Sequence, residues 1–171
     1  SLVKDILFLL NKDKEILIVS SGAIALGKSE LNLQNKSLKL SEKQATAATG
    51  QILLAKAWKS IFEEVNIKCG QILVGHSDLE TRRNAMNTRA TMNTLLKLNV
   101  IPIINENDVV SVDELAGNNF GDNDTLSAMV SNTIDADLLV LLGEVDGFYS
   151  SDPYNNPKAK IISKITKITN E

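Results

Sequence analysis

Residues 100–124 read VIPIINENDVVSVDELAGNNFGDND, and this stretch decides the fold. Val100 to Ile104 is short, β-branched and apolar, the pattern of a buried strand with Pro102 near its start. Asn105, Glu106, Asn107 and Asp108 then fall where such a strand leaves its sheet. Open α/β sheets bind ligands outside the carboxyl ends of their strands, so a polar cluster here is placed for chemistry. The far end, Gly121-Asp122-Asn123-Asp124-Thr125, precedes the helix-like run LSAMVSNTI. Asp122 there can cap the helix, with Asp124 in a first turn that favours negative charge. If the NEND and GDND clusters meet in space, several carboxylates converge, and such a group needs a cation: a metal ion, a lysine or a ligand's ammonium group. Asp113 and Glu114, between the clusters, read as solvated charges of a hairpin over Val109 to Phe120.

Working outward, the chain alternates strand and helix. Ile16 to Val19 (ILIV), Gln71 to Gly75, Val100 to Ile104 and Leu138 to Leu142 (LLVLL) read as buried strands. Val3–Leu10, Ala23–Lys28, Glu80–Leu98 and Thr125–Ile134 read as helices. Ser41 with Gln44 gives a capping-box start to a long helix reaching about Val65, whose apolar face is Ala47, Leu54, Trp58, Ile61 and Val65. Asp152 to Pro157 is a loop by its turn residues. This order predicts βαβ units around a mostly parallel sheet, in a single domain.

Composition narrows the function classes. The 171 residues are 43% hydrophobic, with a formal net charge of −3 and no basic block, so neither nucleic acid nor a membrane surface is the expected partner. The lone cysteine, Cys69, excludes an intrachain disulfide framework and fits a reducing, cytoplasmic setting. No apolar run approaches the roughly 18 residues of a membrane span.

Three places can carry chemistry. Ser20-Ser21-Gly22 links a strand to a helix, where free N–H groups bind anions and Gly22 permits close approach; it is equally an ordinary βα turn with Ser21 as cap. The NEND and GDND pair offers acceptors for an ammonium group from Asn105, Asp108 and Asn123, and carboxylates at Asp122 and Asp124. Gly143-Glu144-Val145-Asp146-Gly147-Phe148 follows the LLVLL run, on the same ligand edge, although Asp146-Gly147 is also a plain turn signal. No glycine fingerprint for a dinucleotide and no P-loop is present. His76, the single histidine, reads as a structural, hydrogen-bonded side chain, and with one cysteine it makes no zinc set. Arg82 and Arg83 read as a solvated helix start, and Trp58 and Cys69 as core.

IVSSGAIALG, QATAATGQILLAKAW, VIPIINENDVV, FGDNDTLSAMV and DGFYSSDPYNNPKA, taken in order, closely resemble the glutamate 5-kinase branch of the amino-acid kinase family. The pairing of INEND with FGDND-x-LSA is the specific part; the DG-x-Y-x-x-DP tail is shared more widely. The resemblance implies an α/β fold, an αβα sandwich with a mostly parallel central sheet, and transfer of a phosphoryl group from ATP, with Mg²⁺, to the side-chain carboxylate of L-glutamate, the first step of proline biosynthesis. By motif position, Ser21, Gly22, Asp108 and Asn123 would hold glutamate, with Asn105 and Asp122 close by, and Asp124 would organise catalytic lysines. Nucleotide would lie over Gly143, Glu144, Asp146 and Phe148, although the family more often has Thr-Asp at the first two of these positions. The resemblance further implies a homo-oligomer and proline as a feedback inhibitor. It implies that a first strand with its glycine-rich turn lies upstream of Ser1, and the rest of the nucleotide site beyond Glu171. Two other readings remain: a non-catalytic amino-acid-binding regulatory module, and a kinase of another small carboxylate.

Overall fold

The computed structural model describes residues 2–110, 123–143 and 145–166. They form two compact units, Ser1–Leu139 and Val140–Glu171. The first contains helices α1 (Leu2–Leu10), α2 (Ala23–Glu30), α3 (Leu40–Glu63), α4 (His76–Glu80), α5 (Arg82–Lys97) and α6 (Asn123–Ile134), with strands β1 (Ile18–Val19), β2 (Lys68–Val74) and β3 (Val100–Glu106). The strands make a parallel sheet in the order β1-β3-β2.

Side-chain alternation along β3 builds two cores. Ile101 and Ile103 point to one face, packing with Ile6 of α1 and Phe62 and Trp58 of α3. Ile104 points to the other, with Val74, Leu79 of α4, Met92 of α5, and Leu126 and Val130 of α6. Helices therefore cover both faces, as the expected αβα arrangement requires, and β3 is buried on both sides as central parallel strands are.

Pro102 lies inside this central strand, and the register explains why it is tolerated. Val19 pairs with Ile104, and the Ser20 N–H donates to the Ile104 carbonyl at 2.8 Å. By the same alternation, the N–H that would bind the Ile16 carbonyl belongs to position 102, where proline has none. The ladder accordingly begins at Ile18, and the expected strand over Ile16–Val19 shrinks to its last two residues.

Other boundaries move for local reasons. β3 runs on to Glu106, so Asn105 and Glu106 lie on the strand rather than after it, 3% and 8% exposed. The helix expected over Glu80–Leu98 begins at Arg82, because Thr81 is extended at its N-cap position, and Glu80 instead ends the separate short helix α4. The Ser41–Gln44 capping box does not form. Helix α3 starts at Leu40, and the Lys39 N–H donates to Glu42 Oε2 at 2.8 Å. Asp13, Asn32, Asn66, Asn99 and Asp135 follow the ends of α1, α2, α3, α5 and α6 with positive φ, the left-handed stop that Asn and Asp accept more readily than other residues with a side chain.

The apolar face of α3 is also rotated from expectation. Phe62 is fully buried and stacks on Trp58, with ring centroids 5.7 Å apart, whereas Ile61 is 40% exposed. Phe62→Ala is expected to cost about 3–5 kcal/mol and Ile61→Ala about 1 kcal/mol or less in urea unfolding. Equal losses would contradict this packing. Cys69 packs in the same core, and burial pushes its thiol above the ordinary value, with Lys59 opposing.

Leu138–Leu142, expected as a fourth strand, pairs with no strand among the described residues, and its five apolar side chains are 40–77% exposed. An apolar run becomes a strand only where a neighbour supplies the other half of its ladder. The hairpin expected over 109–120 falls mostly outside the described residues; Val109 and Val110 belong to a turn. No described helix is long and apolar enough to cross a membrane.

Candidate functional site

The polar edge of the first unit is set by β1 and β3 lying side by side. Since Val19 pairs with Ile104, the chain leaves β1 as Ser20-Ser21-Gly22 beside the point where β3 carries Asn105 and Glu106. Two of the expected site segments, far apart in sequence, are brought to one sheet edge.

The serine turn is held from below. Ser20 is buried, and its Oγ accepts a 2.8 Å hydrogen bond from Trp58 Nε1 of α3. Ser21 and Gly22 are exposed. Ser21 does not cap α2: the N-cap is Gly22, at φ 106° and without any side-chain cap bond. That left-handed backbone favours glycine, and a Cβ there would meet nothing within 4 Å. Gly22 is thus required by conformation while the space before it stays open, at a helix start whose N–H groups suit an anion.

Helix α3 supplies the third wall. It crosses α2 through Gly27 and Gly50, where an added Cβ would lie 1.9 Å from the Thr46 carbonyl oxygen and 1.8 Å from that of Ala23. This close crossing brings the next residue, Gln51, to the site, where Asn105 Nδ2 donates to Gln51 Oε1 at 2.7 Å. A cleft of about 300 Å³ opens between Ala47, Ala48, Gln51 and Ile52 of α3, Gln71 and Leu73 of β2, and the turn from Glu106 to Val109. Asp108 is half-buried on this turn.

Beyond it, Gly75 leads into α4, the Gly75 N–H donating to Asp78 Oδ2 at 2.9 Å. His76 Nδ1 lies 3.6 Å from Glu106 Oε1, a pair that becomes ionic when the imidazole is protonated. Asn123 and Asp124 open α6. Two residues on, Leu126 shares a core with Ile104, the neighbour of Asn105. Asn123 Oδ1 is buried and meets no hydrogen-bond donor among the described residues. Asp124 is exposed in the first turn, and its carbonyl accepts from Ser127 Oγ at 2.7 Å. Asp122 and Glu144 lie outside the described residues. Among the described residues, no group of three or more His, Cys, Asp or Glu is placed to hold a metal ion.

Gly143, Asp146 and Phe148 belong to the second unit, a looped segment closed by the bridge between Tyr149 and Ile161. The Ile162 N–H donates to the Phe148 carbonyl at 2.7 Å, leaving the Phe148 ring exposed. Tyr149 Oη donates to Asp146 Oδ1 at 2.7 Å. This bond raises the Tyr149 phenol above its ordinary value, with desolvation and the Asp146 charge adding. The support that the bond gives the loop is complete below the ordinary tyrosine range near about pH 10 and is lost as pH rises through the raised folded value. Asp146→Ala is expected to shift phenolate absorbance toward lower pH, with Tyr149→Phe assigning the signal. An unmoved titration would remove Asp146 as its cause.

Sequence reading missed Gln51, the Trp58–Ser20 bond and the His76–Glu106 pair. Each joins residues from separate elements, and none has a local pattern.

The amino acid kinase family model matches residues 1–169. Proteins named glutamate 5-kinase from Brucella ovis, Brucella canis and Brucella suis are each 51% identical to it over 169 residues, covering 99% of the chain and 44% of the relative. The chain thus spans under half the length of these curated relatives. Helices on both faces of a parallel sheet, and a family match over nearly every residue, agree: the chain belongs to the amino acid kinase family.

Proposed function

We propose that this chain carries the glutamate-binding part of a glutamate 5-kinase, within a single amino-acid kinase domain that phosphorylates the side-chain carboxylate of L-glutamate with ATP. The observation that carries the reading is the register of β1 against β3. It sets the Ser20-Ser21-Gly22 turn beside Asn105, at the edge that continues into Asp108. The name and identity of the Brucella relatives support the same substrate.

The chemistry suits the residues. A zwitterion needs acceptors for its ammonium group and donors for its carboxylates. Asp108 is the charged acceptor, and the exposed Gly22 turn at the start of α2 offers N–H donors. Asn105 and Asn123 supply neutral amides, Asp124 stands in the first turn of α6, and Asp122 is the acidic residue just before it in sequence. The side-chain carboxylate of glutamate is already ionised at neutral pH and needs no strong base to act as nucleophile. One of its oxygens forms the new bond to the terminal phosphorus of ATP as the bridging oxygen bond breaks and ADP leaves. The work left to the protein is positioning and charge neutralisation.

Mg²⁺ binds through one or two carboxylates together with phosphate oxygens, so it needs no all-protein cage, and Asp124 is a single carboxylate of the suitable kind. When bound, it would neutralise phosphate charge. For the nucleotide, the exposed Phe148 ring and neighbouring Asp146 offer a flat apolar face and a hydroxyl acceptor, with Gly143 and Glu144 before them. Cytoplasmic location, homo-oligomer formation and feedback by proline go with this reading.

The test is hydroxamate formation from L-glutamate, ATP and hydroxylamine by the full-length protein that contains these residues. Glutamate-dependent product supports the reading. Product with another small carboxylate but none with glutamate would replace the substrate. Calorimetric binding of glutamate without any turnover would replace the enzyme by an amino-acid-binding module.

A further inference from the structure

Gln51 lies inside the QATAATGQILLAKAW run without a role attached to it there, yet it stands at the junction of the buried site and the open cleft. Its Oε1 accepts from Nδ2 of Asn105, a side chain buried at the end of the central strand. A carboxamide has one oxygen and one NH₂ group, so fixing the oxygen fixes where the donor points. Nε2 of Gln51 meets no acceptor among the described residues and is not buried, and Gln51 lines the cleft. Gln71 and Asn107 also line it with amides, but no side-chain hydrogen bond orients either of them among the described residues. Glu106 and Asp108, on the same wall, are carboxylate side chains rather than amide donors. Among the described residues, the cleft therefore holds one pre-oriented side-chain donor in a partly acidic lining.

We propose that Gln51 is a specificity-determining residue, whose NH₂ group, aimed by the Asn105 bond, receives a carboxylate of the bound amino acid. The inference rests on the glutamate reading above and deepens it. Asn105 acts through Gln51 and is a positioning residue: its amide selects which end of the Gln51 carboxamide faces the ligand. Asp108 and Gln51 then divide the zwitterion between them, the carboxylate taking the ammonium group and the carboxamide taking negative charge.

Gln51→Glu separates this from a purely structural role. Glutamate keeps an oxygen for Asn105 Nδ2 and nearly the same shape, but replaces the donor with an anion. In the full-length protein the expected result is a KM for L-glutamate raised about tenfold or more, a kcat within about threefold, and an unchanged melting temperature. Gln51→Met, similar in length but without donor or acceptor, is expected to raise KM by a comparable factor. It carries the test alone if the Glu variant fails to fold by circular dichroism. A KM unchanged in Gln51→Glu, or in Gln51→Met when that variant decides, would overturn the proposal and leave Gln51 as a support for Asn105. If the unsubstituted chain binds glutamate in calorimetry and Gln51→Glu binds it equally, only this inference falls. If the unsubstituted chain binds none, the site reading falls with it.

Discussion

Gly50→Ala is expected to destabilise the fold by about 3 kcal/mol or more, above the usual cost of one surplus methyl group in a core. The added Cβ would lie 1.8 Å from the Ala23 carbonyl oxygen and 2.5 Å from the Gly27 nitrogen. Both are backbone atoms, so no side-chain rotation relieves the contact, and α2 must move away from α3. For a chain of this size the melting temperature should fall by roughly 6–12 °C. The damage should extend to ligand binding, because α2 begins at the Gly22 turn and Gln51 follows Gly50 directly. Gly27→Ala, 1.9 Å from the Thr46 carbonyl oxygen, should behave alike. Thermal unfolding followed by circular dichroism decides the matter. A variant melting within a degree or two of the unsubstituted chain would mean that the two helices do not cross this closely.

Asp108→Asn is expected to act on binding rather than on folding. On the glutamate reading, Asp108 accepts from the substrate's ammonium group, and a hydrogen bond between two charged partners contributes about 1.5–3 kcal/mol. The KM for L-glutamate should therefore rise about 10- to 100-fold, with the melting temperature little changed, because the side chain is half-buried on a turn rather than in either core. Asparagine preserves shape and one acceptor oxygen, so the loss reports charge. Steady-state kinetics on the full-length protein give the answer. An unchanged KM with a lowered melting temperature would reassign Asp108 to holding the turn.

The α/β architecture was legible because β3 is a run of apolar, largely β-branched residues and its flanking helices show clear apolar spacing. Ligand-edge placement of the NEND residues followed from that strand alone. What escaped was contact between elements. Asn105 and Glu106 read as loop because they are polar, yet they end the strand, one paired with Gln51 and the other facing His76. Gly27 and Gly50 look like ordinary helix glycines until the two helices are laid across each other. Spacing along α3 favoured Ile61 over Phe62 because the pattern through Ala47, Leu54 and Trp58 does not fix which of two adjacent apolar residues turns inward. LLVLL has the composition of a strand, but composition states a need for burial and cannot name the partner. In the second unit, the turn at Asp152 was readable from its residues, and the Asp152 carboxylate accepts from the Tyr154 N–H at 2.9 Å.

Pro102 has one more consequence. Where it stands, the central strand has no N–H to give the Ile16 carbonyl of the neighbouring edge, while two residues later the same pair of strands is tied by the Ser20 bond to Ile104. Transient opening of this seam should start at the end remote from the serine turn and stop short of it. Thermal fraying is thereby steered away from the rim where a substrate would dock, and the rim stays in register while the opposite end breathes.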